Sequence, residues 1–301
     1  MAGFMNKTFG TKNEKIKTEL NTLALRKKYL YSAIRLTVGI AVTVIAFFPM
    51  YWMLITSVKS QDEVLRLMPT FWPKEFHFEN YATVFKKVNF GRYYFNTIVM
   101  TFGILVLEIV TGILAAYGFS KGKFRGKNLA FMFVLGALMI PIQVTFIPIY
   151  MICARLHFTD SFTGLILPMA VSPYYIFMLR QSFLSVDDSY IDAAKIDGLG
   201  RLGIIMQVLA PMNKATLFTV TLVTFTSGWN SYFWPKIAAK NEVRRVLTIG
   251  LAQLKDTFAG QGTMNNHEIM AGAVLAIVPV VILFFIFQKY MLTGYSKAAM
   301  K

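Results

Sequence analysis

A chain of 301 residues that is 55% apolar and only 15% charged holds more hydrocarbon than a soluble domain of this size needs to cover its core. With a mean hydropathy of +0.52, its solvent is a membrane. The formal charge of +16 suits a nucleic-acid binder only if the basic residues gather on a polar domain; here they flank apolar runs, which points to topology and anionic headgroups and away from nucleic acid.

Residues 1–32 are polar and basic, with Lys7, Lys12, Lys15, Lys17, Arg26, Lys27 and Lys28, and they lack the short apolar core and small-residue site of a cleavable signal. The first apolar segment is therefore read as a retained span. About 20 apolar residues are needed to cross about 30 Å of hydrocarbon. Long intervals between charges give six such segments: 36–58, 93–120 (broken only by Glu108), 128–154, 161–179, 215–235 and 269–288. The expected fold is all-α: a polytopic domain over 33–295, with a basic segment before it and a tail over 296–301.

Lys121, Lys123, Arg125 and Lys127 crowd the short loop between spans two and three, so that loop and the basic amino terminus are placed in the cytoplasm. Six crossings return the carboxyl end, with Lys289, Lys297 and Lys301, to the same side. Loops 59–92 and 236–268 then face outward, although they carry Lys86, Lys87, Arg244 and Arg245. Pro141, Pro148, Pro168, Pro173 and Pro279 interrupt spans. The carbonyls such breaks free are tolerated where they pack on protein or face a wet cavity, and both readings stay open. Cys153, the only cysteine, excludes an intramolecular disulfide and reads as a buried, inert thiol.

Between Gln181 and Lys214 the run DDSYIDAAKIDGLGRLGIIMQVLAP is neither membrane-like nor disordered. It predicts a helix capped by Asp187 or Asp188, with Ile191, Ala194 and Ile196 on its apolar side and Asp192, Lys195 and Asp197 polar. Gly198 ends that helix, and Leu202, Ile205, Met206 and Leu209 form a second stripe before Pro211. Such an elbow is either a lever for a docking protein or an amphipathic segment lying on headgroups.

The string Asp192-Ala193-Ala194, three residues, Gly198, nine residues, Val208-Leu209-Ala210-Pro211 resembles the signature loop of ABC importer permeases, Glu-Ala-Ala, Gly and Ile-x-Leu-Pro at the same spacing. Asp192, Val208 and Ala210 replace the usual Glu, Ile and Leu. The runs MIPIQVTFIPIY (139–150), WNSYFWP (229–235) and QKYMLTGYSKAAMK at the end resemble the carbohydrate-uptake, maltose-type branch, over about residues 33–301. That resemblance implies a second permease subunit, two ATP-binding subunits and an extracytoplasmic solute-binding protein. It also implies that Asp192, Ala193, Ala194, Asp197, Gly198 and Pro211 belong to a coupling helix seated in an ATPase cleft.

Gly198-Leu-Gly200-Arg-Leu-Gly203 matches the dinucleotide spacing GxGxxG, but a helix precedes it where the fingerprint needs a strand. Gly118 to Lys123 does not meet the order of a phosphate loop. The chain is thus expected to bind no cofactor itself, ATP being hydrolysed by separate subunits. His77, His157 and His267, in different outward loops without ligand spacing, read as surface histidines. No nucleophile, base and orienting group converge, so an enzyme is not expected.

A path for a sugar needs hydrogen-bonding groups and aromatic faces. Trp229, Asn230, Tyr232 and Trp234 supply both, with an interfacial aromatic belt as the competing reading for the tryptophans. Gln143, between two prolines, faces either a cavity or a neighbouring helix. Glu108 must be protonated, paired or wet. A bond to a neighbouring helix is the preferred reading for it; a proton-coupled secondary transporter using Glu108 is the alternative, and it leaves the elbow without a purpose. The pathway candidates are Gln143, Asn230, Trp234 and Glu108.

Overall fold

The computed structural model describes residues 2–259 and 266–298, with side chains placed for 27–255 and 266–287. The basic side chains up to Arg26, and those of Lys289, Lys297 and Lys301, lie outside these bounds. The elements in order are α1 (Ala2–Ser57), α2 (Gln61–Val64), α3 (Glu79–Lys87), α4 (Phe90–Lys121), α5 (Lys127–Leu138) and α6 (Ile142–Arg155). Then come α7 (Phe162–Met169), α8 (Pro173–Leu184), α9 (Asp188–Ile196), α10 (Arg201–Met212), α11 (Lys214–Trp229), α12 (Phe233–Ala238), α13 (Leu247–Ala259) and α14 (Asn266–Ala298). There is no strand among the described residues.

Three helical stretches are long and apolar enough to cross a bilayer unbroken: Lys27–Ser57 of α1, all of α4, and Asn266–Phe287 of α14. Two of the other expected spans are bent pairs, α5 with α6 at 104° and α7 with α8 at 41°; the fifth, expected over 215–235, corresponds to α11, which meets the preceding α10 at 88°. At 12 and 14 residues, α5 and α6 measure about 18 and 21 Å, so neither alone covers about 30 Å.

Proline chemistry accounts for two of the breaks. Pro141 caps α6, and a residue before proline is pushed out of the helical region. Pro173 occupies the first position of α8, whose Ser172 cap accepts a hydrogen bond from the Tyr175 N–H at 3.2 Å. Pro148 and Pro279, expected to interrupt their spans, instead lie inside α6 and α14. The fifth segment stops as a helix at Trp229, six residues short of the expected end, and the fourth continues to Leu184.

The connections expected to face outward are not plain loops. Residues 59–92 contain α2 and α3, and residues 236–268 contain α13. The second is fastened to the outer end of α4: Asn96 Nδ2 donates to the carbonyls of Val243 (2.9 Å) and Arg245 (2.8 Å), and the Leu247 N–H donates to Thr97 Oγ1 at 2.8 Å. A Lys87–Glu268 pair at 2.8 Å, of which only the glutamate is buried, ties α3 to α14.

Helix α4 packs against α8, α11 and α13. It meets α8 tightly at Gly112, where a Cβ would strike the buried Tyr175 ring. Gly112→Val is therefore expected to overpack this seat and cost about 1–3 kcal/mol. Gly136→Val, at a position with open space around it, is expected to be neutral. Thermal unfolding of the two variants in the same detergent tests the difference.

Candidate functional site

The elbow is built from its caps inward. Asp187, extended at φ −60° and ψ 137°, caps α9 by accepting the Ser189 N–H at 2.8 Å, and that bond holds its carboxyl below the usual range. At the other end Gly198 takes φ +82°. The Gly198 N–H then reaches the Lys195 carbonyl at 3.0 Å, and the Leu199 N–H reaches the Ala194 carbonyl at 2.9 Å. These two bonds satisfy the last carbonyls of α9 and turn the chain sharply into α10.

The inner side of the elbow is part of the membrane domain's core. Ile191 and Ala194 of α9 and Ile204 and Leu209 of α10 share one buried cluster with Ala116, Tyr175, Leu179, Phe183 and Val220 of α4, α8 and α11. Ile196, expected on the inner side, is 87% exposed. It stands five residues beyond Ile191, about 140° further round the helix. Leu202 and Met206, expected in the second inward stripe, are 67% and 65% exposed. Ile205 and Leu209 of that stripe are buried as expected, and Ile204 joins them, within a π turn over residues 204–209.

Of the signature positions, Asp192, Ala193, Asp197, Gly198 and Pro211 are exposed and Ala194 is buried. Asp192 pairs with Lys195 at 2.7 Å on the surface. Tyr190, Ile196, Leu202 and Met206 complete an apolar outer side. The corner between α10 and α11 is pinned by Asn213: its Nδ2 donates to the Leu209 carbonyl at 2.8 Å, and its Oδ1 accepts from Ser182 at 2.5 Å.

A second feature is a cavity of about 650 Å³. The structure places all four pathway candidates on its wall: Glu108 from α4, Gln143 from α6, and Asn230 and Trp234 from the segment after α11. Glu108 Oε2 accepts from Thr224 Oγ1 of α11 at 2.7 Å, so the carboxyl both bonds a neighbouring helix and borders the cavity. Gln143 and Asn230 are exposed, with no side-chain hydrogen bond among the described residues.

Neither tryptophan forms an interfacial belt. Trp234 is 1% exposed and donates to the Leu165 carbonyl at 3.3 Å; Trp229 is buried and donates to the Ala276 carbonyl at 2.9 Å. Thr224, Ser172, Tyr174 and Phe146 also line the cavity and were not singled out from sequence. Thr224 is one of five threonines between Lys214 and Trp229, and nothing in its spacing marks it. His267, expected on the surface, is buried at the start of α14, 4.0 Å from Glu268.

Residues 108–296 match the family of binding-protein-dependent transport system inner membrane components. The chain belongs to this family. It is 32% identical to the arabinooligosaccharides transport system permease protein AraQ of Bacillus subtilis (strain 168), over 84% of this chain and 90% of that one. It is 28% identical to the sn-glycerol-3-phosphate transport system permease protein UgpE of Yersinia pestis bv. Antiqua (strain Antiqua), over 88% and 95%. Its fold matches a chain in the crystal structure of a bacterial ABC transporter involved in the import of the acidic polysaccharide alginate, with a TM-score of 0.78, 25% identity and coverage of 88% and 98%. This protein is a multi-pass membrane permease subunit of an ABC importer and not an enzyme.

Within this family member, the left-handed Gly198 is the elbow's most demanding backbone position. Gly198→Ala is expected to cost about 1 kcal/mol, which opens the elbow about fivefold more often. Gly200→Ala, at φ −71°, carries no such cost. Limited trypsin cleavage after Arg201 reads the difference: about fivefold faster in the first variant and unchanged in the second.

Proposed function

We propose that this subunit forms half of the translocation pathway of a sugar importer and takes its energy from ATP-binding subunits docked on the Asp192–Pro211 elbow. The observation that carries the reading is the two-sided elbow. Its inner side is continuous with the core of α4, α8 and α11, and its outer side presents Tyr190, Ile196, Leu202 and Met206 beside the exposed signature residues. A protein that grips the outer side moves the spanning helices with it.

In this reading the bent pairs α5–α6 and α7–α8 each count as one crossing and α11 as another, α10 being the elbow's second helix, which gives six spans over 33–295 with both termini and the elbow in the cytoplasm, where the basic loop of Lys121, Lys123, Arg125 and Lys127 belongs. The assembly comprises this chain, a second permease subunit, two ATP-binding subunits and an extracytoplasmic solute-binding protein. ATP is consumed by the partners and no cofactor resides in this chain.

The named relatives handle arabinooligosaccharides, sn-glycerol-3-phosphate and alginate, all rich in hydroxyl groups. The cavity suits such a solute: Glu108, Gln143 and Asn230 offer acceptors and donors, and Tyr232 and Phe146 offer aromatic faces, with the buried Trp234 packed behind them. Here Glu108 receives solute hydroxyls while its other oxygen holds Thr224, and it has no need to carry a proton.

Affinity purification of the tagged chain from mild detergent, followed by mass spectrometry, tests the assembly. An ATP-binding subunit and a second permease are expected to co-purify, and Gly198→Arg is expected to release the ATP-binding subunit. Recovery of this chain alone, active in proteoliposomes without ATP, would overturn the reading. For the cavity, Asn230→Ala and Gln143→Ala are each expected to slow ATP-driven uptake about fivefold, the loss of roughly one hydrogen bond, with assembly intact. Uptake unchanged in both would remove these residues from the path.

A further inference from the structure

Helix α4 connects the two features described above. Glu108 stands in the cavity wall, and Lys121, the last residue of the same helix, lies 13 residues or about 20 Å away at the cytoplasmic end. The Lys121 side chain is only 9% exposed. Its ammonium donates to the Val186 carbonyl at 2.7 Å and to Asp188 Oδ1 at 2.6 Å. Val186 is buried in the turn that precedes α9, and Asp188 is the first residue of α9. One cation therefore grips the backbone and the first side chain of the elbow's leading helix. The same contact holds the Asp188 carboxyl below its usual range.

The end of α4 is itself firmly held. Lys127 donates to the carbonyls of Ser120 (3.3 Å) and Gly122 (3.0 Å), and Arg180 of α8 donates to the Phe119 carbonyl at 3.1 Å. These carbonyls belong to the last turn of α4 and to its cap, where a helix leaves acceptors unsatisfied. Beside the clasp lies a polar cleft of about 620 Å³ between the 120–127 segment and α9, so α9 has room to shift.

The cluster that seats α9 and α10 on the spans is apolar, with Ile191, Ala194 and Ile204 beside Ala116, Tyr175 and Leu179, and the far end of the elbow adds the Asn213–Ser182 hydrogen bond. Packed apolar faces have no preferred direction and can slide by shear. Two charge-assisted hydrogen bonds on a largely buried ammonium resist stretching in a defined direction. Among the described residues, Lys121–Asp188 is the ion pair that joins α9 to a spanning helix.

We infer that Lys121 is a positioning residue that converts displacement of the coupling elbow into movement of α4, and so of the Glu108 side of the cavity. The inference rests on the elbow being the ATPase docking site. Its test keeps the two claims separate and needs no knowledge of the cargo. The complete importer, with Cys153→Ala and Ser227→Cys, is reacted with a cationic methanethiosulfonate. Ser227 is an exposed residue of the cavity wall.

The labelling rate is expected to differ about tenfold between the nucleotide-free and the ATP–vanadate-trapped states, to fall to within about twofold in Lys121→Met, and to recover in Lys121→Arg. A Lys121→Met importer that keeps the tenfold difference overturns the clasp. Should Lys121→Met fail to assemble, Asp188→Asn provides the second variant, since that side chain is largely exposed. A narrowed difference in Asp188→Asn supports the inference, and an undiminished one overturns it. Gly198→Arg separates the two claims: if it keeps both the ATP-binding subunit and the labelling difference, the docking reading itself has failed. If it loses the ATP-binding subunit while Lys121→Met behaves as wild type, the clasp alone has failed.

Discussion

The structure depends on one continuous apolar contact, the cluster in which Ile191, Ala194, Ile204 and Leu209 of the elbow meet Ala116, Tyr175, Leu179 and Val220 of the spanning helices. Burying an aliphatic side chain contributes on the order of 1.5–3 kcal/mol. Several together make separation of the elbow from the membrane domain costly compared with bending a loop. An amphipathic segment lying on headgroups would leave its apolar side in lipid. Here that side is used up inside the protein, and the apolar residues left over face outward. The docking interpretation needs both halves of that arrangement.

Much of this was legible in the chain. Intervals between charges located the three unbroken apolar helices and the bent pairs α5–α6 and α7–α8, because a charge in hydrocarbon is costly enough to be rare. The elbow was legible from Asp187 as a cap, Gly198 as a terminator and the spacing to Pro211. What stayed hidden depends on contacts between distant residues. A regular helical period assigned Leu202 and Met206 inward with Ile205 and Leu209, but the side of α10 that meets the spans is centred on Ile204, Ile205 and Leu209, which leaves Leu202 and Met206 exposed. The tryptophans of WNSYFWP suit an interface as well as a core, and only the placement of the Ala276 and Leu165 carbonyls settles that their indoles are buried. Glu108 had to be protonated, paired or wet, with a bond to a neighbouring helix preferred, but the choice of Thr224 among five threonines is fixed by the crossing of α4 and α11.

Residues 236–268 show the same limit from the opposite direction. Read as an outward loop, the segment contains α13 and is fastened to α4 through Asn96 and Thr97. Asparagine and threonine near the end of a span carry no signal of a partner about 150 residues away, yet each is buried and would be costly unpaired. These bonds hold the outer end of α4 as the Lys121 contacts hold the inner end. The helix that carries Glu108 is thus anchored to an outward segment at one end and to the elbow at the other.

The breaks in the helices and the position of the cavity share one physical cause. Main-chain groups released from a helix within the membrane must find partners or water. Three irregular stretches occur, at residues 139–141, 170–172 and 230–232, and residues within or next to each line the same cavity: Ile142 and Gln143, Met169 and Ser172, Asn230 and Tyr232. Side chains satisfy two of the carbonyls set free. Thr111 of α4 donates to the Ala170 carbonyl at 2.9 Å, and Thr248 of α13 donates to the Ser231 carbonyl at 2.6 Å. Both donors come from neighbouring helices, so each break is held open by the element it packs against. A kink made only for packing would have no reason to share a cavity with two others. Three breaks around one cavity, supported by hydroxyls from α4 and α13, set Glu108, Gln143, Ser172 and Asn230 as polar points in a largely apolar wall.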